Sequence, residues 1–404
     1  MGNTMYDLKP GTFAHKCIYN AYRKKYHIMP IMPLICQRFI DFSELGDDNI
    51  IGIYASYISG HDNESILTCP PERIAAYIES QYSSGKYVVF DNCQEGGVDM
   101  VISRIYACIK LTSVPLSSVY FIVGAYNVQE VYDNYCVRNN ITEKLNVYYA
   151  NPWECTPYTP YMAPTYTVGK KEKLFLSFNR ITRAHRVALV SLLLDAGLVD
   201  RAYYSFFADA DHGNNPVCVE NLITYYISNT QLRERVINAY STNINRFPLL
   251  LNIDKSKNKT YVDADDEKYF ADSYFSLVTE TFFFDTFTEA LNEHHDNAIF
   301  FSEKIYKPIF MKHPFVLVGR PHSLPALRNS GYRTFSPFID ETYDTIEDNA
   351  ERLKAIVEEV KRLSTKTDEE WIEWQINVAE IVNHNYRTLT DRVYNLTREK
   401  VKKL

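Results

Sequence analysis

No apolar run in this sequence approaches the roughly 20 residues needed to cross a bilayer. The opening stretch "MGNTMYDLKPGTF" lacks the apolar core of a secretory leader, and Tyr6 stands where a myristoylation signal behind Gly2 would have Ser or Thr. The eight cysteines (Cys17, Cys36, Cys69, Cys93, Cys108, Cys136, Cys155 and Cys218) form no Cys-x-x-Cys pair, which removes the usual zinc and redox spacings. A chain of 404 residues does not need disulfide staples, so reduced, buried thiols in a cytoplasmic protein are expected. The Asn-x-Ser/Thr sequons at Asn63, Asn140, Asn258 and Asn395 then carry no meaning. Positive charge is not in excess either: 43 Lys and Arg against 50 Asp and Glu give −7, so there is no general attraction to nucleic acid.

The short catalytic signatures are missing as well. No Gly-x-Gly-x-x-Gly follows the first strand, and there is no Gly-x4-Gly-Lys-Ser/Thr phosphate loop, Gly-x-Ser-x-Gly elbow or His-Glu-x-x-His zinc helix. No internal repeat with a period of about 20–50 residues is present.

What is present is a hydrophobic fraction of 46%, enough for full-size cores, and an unusual 32 tyrosines. The tyrosines reflect either coding bias or aromatic sites for sugars or bases. The length suits two domains rather than one core. Strand-like and helix-like segments alternate. "NIIGIYASYI", "KYVVF", "SVYFIVGAY" and "KLNVYYA" read as strands, separated by helical runs that include "PERIAAYIESQY", with Pro71 at a natural first-turn position. Residues 151–173 carry Pro152, Pro157, Pro160 and Pro164 and no period, as expected of a linker.

A second alternating series follows, with strands "KLFLSF", "AYYSFF", "SYFSLVTE", "PFVLVG" and "YRTFS". It closes with a helix carrying Leu353, Ile356, Val357, Val360 and Leu363 on one face, then a long helical region with Trp371, Trp374, Val378, Ile381 and Val382. The expected organisation is an N-terminal Rossmann-like domain over 1–155, a Pro-rich linker over 156–172, a C-terminal Rossmann-like domain over 173–366, and a helical region over 367–404 that packs back on the first domain. The fold class is α/β, with two Rossmann-like domains facing each other across a cleft and C-terminal helices. Ligands of such sheets sit at the carboxyl ends of the strands.

Several charged clusters fall at those ends. In "FFSEKIYKPIF", Ser302 follows an apolar pair and precedes a helical run, the position of an N-cap. The helix start carries unpaired N–H groups and partial positive charge, and Lys304 and Lys307 share a face, an arrangement that suits a diphosphate. Glu303 suits a ribose or sugar diol. An ordinary capped surface helix with a Glu-Lys pair is the plainer reading. "SFNRITRAHR" puts Arg180, Arg183 and Arg186 three apart after a strand, forks suited to phosphate oxygens or simply a solvated helix start. Glu280 ends the strand "YFSLVTE" between Thr279 and Thr281 and requires a partner or a ligand, or stands in an exposed loop. In "VVFDNCQEGGVDM", Asp91 and Glu95 precede Gly96 and Gly97, either as a general base for an acceptor hydroxyl or as turn chemistry. Two Asp-x-Asp pairs, Asp209/Asp211 and Asp263/Asp265, would permit divalent metal at a nucleotide diphosphate.

The segment "SYFSLVTETFFFD…AIFFSEKIYKPIFMKHPFVLVGRPHSLPALRNSGYRTF" resembles the nucleotide-binding half of α-1,3-fucosyltransferases, in which a strand ends in a Phe-Glu-Asn-Ser loop ahead of a Tyr-Val-Thr-Glu-Lys segment. It looks still more like glycosyltransferase-like proteins of bacteriophages and large viruses, which share a Thr-Glu-Lys-x-x-Lys-Pro helix start and a tail similar to "GYRTFSPFIDETYD" here. The resemblance spans about 170–365 and does not reach the first half. It implies a GT-B glycosyltransferase with a nucleotide-diphosphate sugar as donor substrate, inversion at the anomeric carbon, no required metal and no other cofactor. Lys304 and an arginine of 180–186 would hold the diphosphate, and Glu303 the ribose. Thr281-Phe282 replaces Asn-Ser after the first glutamate, and Ser302 replaces Thr, so fucose is not carried over. The acceptor is a glycan, a hydroxymethylated phage DNA that the basic tail "REKVKKL" would contact, a protein or a small molecule; a viral chain would act in the host cytoplasm. Two alternatives stand beside this: a non-catalytic nucleotide-sugar or carbohydrate-binding protein of the same fold, and a metal-dependent transferase using Asp209/Asp211.

Overall fold

The computed structural model describes residues 50–54, 69–93, 95–155, 164–179, 182–206, 216–251, 264–283 and 297–402. The chain is α/β, and its described residues form two four-stranded sheets, all of whose strand pairs are parallel. It divides into two compact units. The first holds Met1–Thr156, Phe287–Phe301 and Tyr394–Leu404; the second holds Pro157–Thr286 and Ser302–Val393.

The first unit's sheet runs β1 (Ile50–Tyr54), β2 (Tyr87–Asn92), β3 (Val119–Val123) and β4 (Asn146–Tyr149), side by side in chain order. The inner strands are the continuous apolar runs, with Val88, Val89, Phe90, Phe121, Ile122 and Val123 fully buried, as a sheet covered on both faces requires. Edge strand β4 is only half-buried along its length. Crossovers are made by α1 (Pro71–Gln81), α2 (Asp99–Ile109) and α3 (Val128–Arg138). Pro71 opens α1, where its missing N–H costs nothing. Ile74 and Ile78 of α1, and Val101, Ile102 and Ile105 of α2, enter the same core as Phe90 and Phe121. Cys69, Cys93, Cys108 and Cys136 are buried free thiols.

The second unit's sheet holds β5 (Lys173–Asn179), β6 (Ala202–Phe206), β7 (Ser273–Thr279) and β8 (Phe315–Val318), in the order β6-β5-β7-β8. After β5 the chain moves one way to β6, then returns past β5 to β7 and β8. A topological switch point therefore lies between β5 and β7. Every residue of β7 is buried. The helices are α4 (Ala184–Asp195), α5 (Pro216–Tyr226), α6 (Thr230–Thr242), α7 (Ala264–Ala271), α8 (Glu303–Phe310), α9 (Ser323–Asn329), α10 (Asn349–Ser364) and α11 (Asp368–Lys402). Helix α4 is buried from Ala184 to Leu194 because α5, α6 and α10 also pack on it, which matches its uniformly apolar sequence. Asn229 breaks the long helical run of the sequence by capping α6, its side chain accepting from the Leu232 N–H. In α11, Trp371 stacks on Tyr274 with centroids 4.2 Å apart.

One expected strand is not formed. "YRTFS" joins no sheet: side chains take its backbone hydrogen bonds instead, Asn385 at Arg333 and the Glu341 carboxylate at the N–H groups of Phe335 and Ser336. Asn385 accepts from the Arg333 N–H at 2.7 Å and donates to the Arg333 carbonyl at 2.8 Å. Among the described residues no helix is long and apolar enough to cross a membrane.

Candidate functional site

The carboxyl edge of the second sheet gathers six of the charged residues singled out above: Arg183, Arg186, Glu280, Glu303, Lys304 and Lys307. Glu280 leaves β7 at the switch point with its side chain buried, 2% exposed. Its carboxylate accepts from the Ser302 hydroxyl at 2.6 Å, the Ser302 N–H at 3.2 Å and the Thr281 N–H at 3.2 Å. Burial pushes the Glu280 carboxyl above its ordinary range, and the nearby Lys304 and the Ser302 hydrogen bonds oppose that.

Ser302 is the N-cap of α8, as its sequence position suggested, and its hydroxyl accepts from Lys304 twice: from the ammonium at 2.8 Å and from the N–H at 3.4 Å. The Lys304 ammonium also reaches Thr281 Oγ1 at 3.3 Å and Glu303 Oε1 at 3.4 Å. Burial would raise the Glu303 carboxyl, but Lys304 and Lys307 outweigh it and hold the group below its ordinary range. Glu303 is therefore an anion, with its side chain 18% exposed.

Arg183 and Arg186 reach the same loop from α4 and the turn before it. Arg183 donates to the Thr281 carbonyl at 3.3 Å, and Arg186 to the Thr279 carbonyl at 3.4 Å. Arg186 is buried, and burial and the adjacent Arg183 lower its guanidinium to about 10, against the pull of Glu280 and Glu303. Between them, His185 Nε2 lies 3.1 Å from the Glu280 carbonyl and its ring stacks on Phe283 at 5.6 Å. Burial first, then Arg186 and Arg183, keep this imidazole neutral at ordinary pH. Arg352 completes the collar, donating to the Phe283 carbonyl at 2.8 Å with its guanidinium over the Phe283 ring. Three arginines and the neutral His185 thus hold the carbonyls of Thr279, Glu280, Thr281 and Phe283.

The surroundings of Thr279–Phe283 are consequently electropositive. Arg186, Lys304 and Lys307 act on two carboxyls there: Glu303, which the lysines hold below its ordinary range, and Glu280, which burial raises above it. A helix start of the same unit adds its partial positive charge. Anions with several oxygens, phosphates above all, suit such a setting.

His185, Thr281, Arg320 and Arg352 were not singled out by sequence reasoning. Arg320 is buried just beyond β8, its guanidinium 5.7 Å from the Phe282 ring centroid. Its place after "PFVLVG" was the available signal, since that is a strand's carboxyl end. Arg352 gave none, lying inside an ordinary amphipathic helix pattern.

The carboxylates of the first unit differ from each other. Asp91, the fifth residue of β2, is 4% exposed and accepts from the Cys93 N–H at 3.0 Å. Burial raises its carboxyl, and the bonds to Cys93 partly offset this. Glu95 is exposed, and its carbonyl accepts from the Gly124 N–H at 3.0 Å. Gly124 is required there, since a Cβ would stand 2.6 Å from the Cys93 carbonyl oxygen and 2.7 Å from the Phe300 ring.

Arg180, Asp209, Asp211 and Asp263 lie outside the described residues, and of Asp265 only the backbone, in α7, is described. Among the described residues no cluster of three His, Cys, Asp or Glu side chains is arranged for a metal ion. No protein-family model and no curated protein matches this chain.

Proposed function

We propose that the protein is a GT-B-type glycosyltransferase that transfers a sugar from a nucleotide-diphosphate donor to an acceptor hydroxyl. The observation that carries this reading is the cation cluster at the β5/β7 switch point. Arg183, Arg186 and Lys304 converge there on the loop that starts at Glu280 and on the capped start of α8. Doubly wound α/β sheets bind nucleotides at this point of the topology, and the resemblance to fucosyltransferase-like and viral glycosyltransferase-like sequences covers the same residues.

In this reading Lys304, Lys307 and the arginines balance the charge that grows on the diphosphate as the glycosidic bond breaks. Glu303, held ionised, accepts from the ribose hydroxyls. A first-unit carboxylate takes the proton of the acceptor hydroxyl as its oxygen attacks the anomeric carbon, and the nucleoside diphosphate leaves with the bonding pair. Exposure favours Glu95 over Asp91 for that task. The acceptor is a glycan, a hydroxymethylated DNA or a small molecule.

One observation favours a second reading. Lys304 already has three internal oxygen partners, as it would in a protein of the same fold that holds a nucleotide sugar without turning it over. Thermal-shift screening against a panel of nucleotide sugars tests both readings, since a donor bound by the native state raises the midpoint. The transferase also hydrolyses its donor slowly without acceptor, whereas the binder leaves it intact. A panel with no shift at concentrations up to millimolar contradicts both.

A further inference from the structure

Two neighbouring phenylalanines follow Thr281 at the carboxyl edge of the second sheet, and they are placed differently. Phe283 belongs to the core. It is fully buried, with the His185 ring stacked on it and the Arg352 guanidinium 4.4 Å from its centroid. Phe282 is only half-buried. A single surface phenylalanine is ordinary when it stands by itself. Phe282 instead stands between a buried cation and the lysine of the anion site.

Arg320 is the buried cation, and its guanidinium lies over the Phe282 ring, 5.7 Å from the centroid. The face it covers is therefore the inner one, and the opposite face is turned to water. Arg320 is held in place behind the ring. Its carbonyl accepts from the buried Ser323 hydroxyl at 2.7 Å. The Glu280 N–H donates to the Val318 carbonyl at 2.9 Å, so the ends of β7 and β8 leave the sheet side by side. On the other side, Thr281 immediately precedes Phe282. Its hydroxyl is 3.3 Å from the Lys304 ammonium, and its carbonyl accepts from Arg183 at 3.3 Å. Successive Cα atoms are about 3.8 Å apart, so the ring and the cation cluster share one piece of backbone. All of these residues belong to the second unit.

The pairing of cations with a flat apolar surface selects a kind of ligand. A nucleoside diphosphate is charged at one end and carries a planar aromatic base at the other. A guanidinium on the inner face draws on the ring's negative quadrupole. The outer face is then a poorer seat for a second cation or for the C–H groups of a sugar. Flat stacking remains, and every nucleobase offers it.

We infer that the outer face of Phe282 is the stacking platform for the base of a nucleoside diphosphate whose phosphates lie at Lys304. The inference rests on the glycosyltransferase reading and deepens it by giving the donor's base a seat. Stacking tolerates any base, so the platform governs affinity for the nucleoside rather than the choice among bases.

The test compares the full native chain with Phe282→Leu and Phe282→Tyr. UDP, GDP, ADP, CDP and TDP are titrated calorimetrically into each, and inorganic pyrophosphate serves as the probe that carries charge without a base. The platform predicts that the native chain binds at least one nucleoside diphosphate more tightly than pyrophosphate. Phe282→Leu should weaken that nucleoside diphosphate by about tenfold, the usual effect of removing one aromatic ring from one base, and leave pyrophosphate affinity unchanged. Phe282→Tyr keeps the ring and should keep the native affinity. A ring that only supports the loop would weaken both probes together in Phe282→Leu, and that result overturns the proposal. So does native affinity for the nucleoside diphosphate in Phe282→Leu, or a native chain that binds nucleoside diphosphates no better than pyrophosphate. In these three cases diphosphate still binds at the cation cluster, and the glycosyltransferase reading stands without the platform. A native chain that binds neither kind of probe contradicts the reading and the platform together.

Discussion

The Ser302 hydroxyl donates to Glu280 at 2.6 Å while accepting from the Lys304 ammonium at 2.8 Å, so one hydroxyl joins a buried carboxyl to a lysine at a helix start. This relay ties the end of β7 to α8. Glu280→Gln replaces a carboxyl whose two oxygens both accept hydrogen bonds by a side chain whose NH2 group faces donors, and an unmet buried donor costs about 1–3 kcal/mol. The variant should unfold at lower urea concentration and bind nucleoside diphosphate more weakly. Equal urea midpoints for the two proteins would contradict the relay.

The two first-unit carboxylates should separate by assay. Glu95→Gln is expected to lower donor turnover by about 100-fold or more, the usual share of a general base, with donor affinity unchanged by calorimetry. Asp91→Asn should act on stability, since Asp91 is buried against the Cys93 N–H. The reverse pattern would make Asp91 the base.

Asp344 gives a pH signature. It is buried, and its carboxylate accepts from the Leu324 N–H at 3.0 Å at the start of α9. Burial raises its pKa to about 7, against the pull of the Leu324 bond and of His322, with Glu341 adding to the rise. The folded state then holds a proton that the unfolded chain releases near its ordinary value of 3.8. Its contribution is therefore full at low pH and is lost as pH rises through about 7. The difference in urea midpoint between the native chain and Asp344→Asn should shift against the native chain from pH 5 to pH 8. A difference independent of pH would contradict this.

Gly124→Ala places a methyl group against two backbone carbonyls and the Phe300 ring. Backbone cannot swing aside as a side chain can, so the cost should be about 1–3 kcal/mol, as for other overpacked sites, measured as a fall in the unfolding midpoint.

Much of the architecture was legible because buried parallel strands write themselves as unbroken apolar runs, such as Val88–Phe90 and Phe315–Val318. The N-cap role of Ser302 was legible too, since a hydroxyl between an apolar pair and a helical run has few other uses. Long-range choices were not. The β6-β5-β7-β8 order, which puts the switch point at Glu280, is set by which strands pair, and no local pattern encodes it. "YRTFS" has the aromatic and β-branched residues of a strand, yet Asn385, 52 positions away, takes both backbone bonds of Arg333. Asn127 meets Asn297 and Ile299 across 170 and 172 positions, and an asparagine at a helix start reads only as a cap. His185 lies within "SFNRITRAHR" but was not singled out there. Its burial against Phe283 depends on a partner nearly a hundred residues away, which the run of arginines around it does not announce.

Calorimetric titration of a nucleoside diphosphate into the native chain and into Lys304→Ala tests the central claim most directly. The account predicts measurable binding to the native chain and its loss in a variant whose circular dichroism shows it to be folded. Undiminished affinity in folded Lys304→Ala would contradict it.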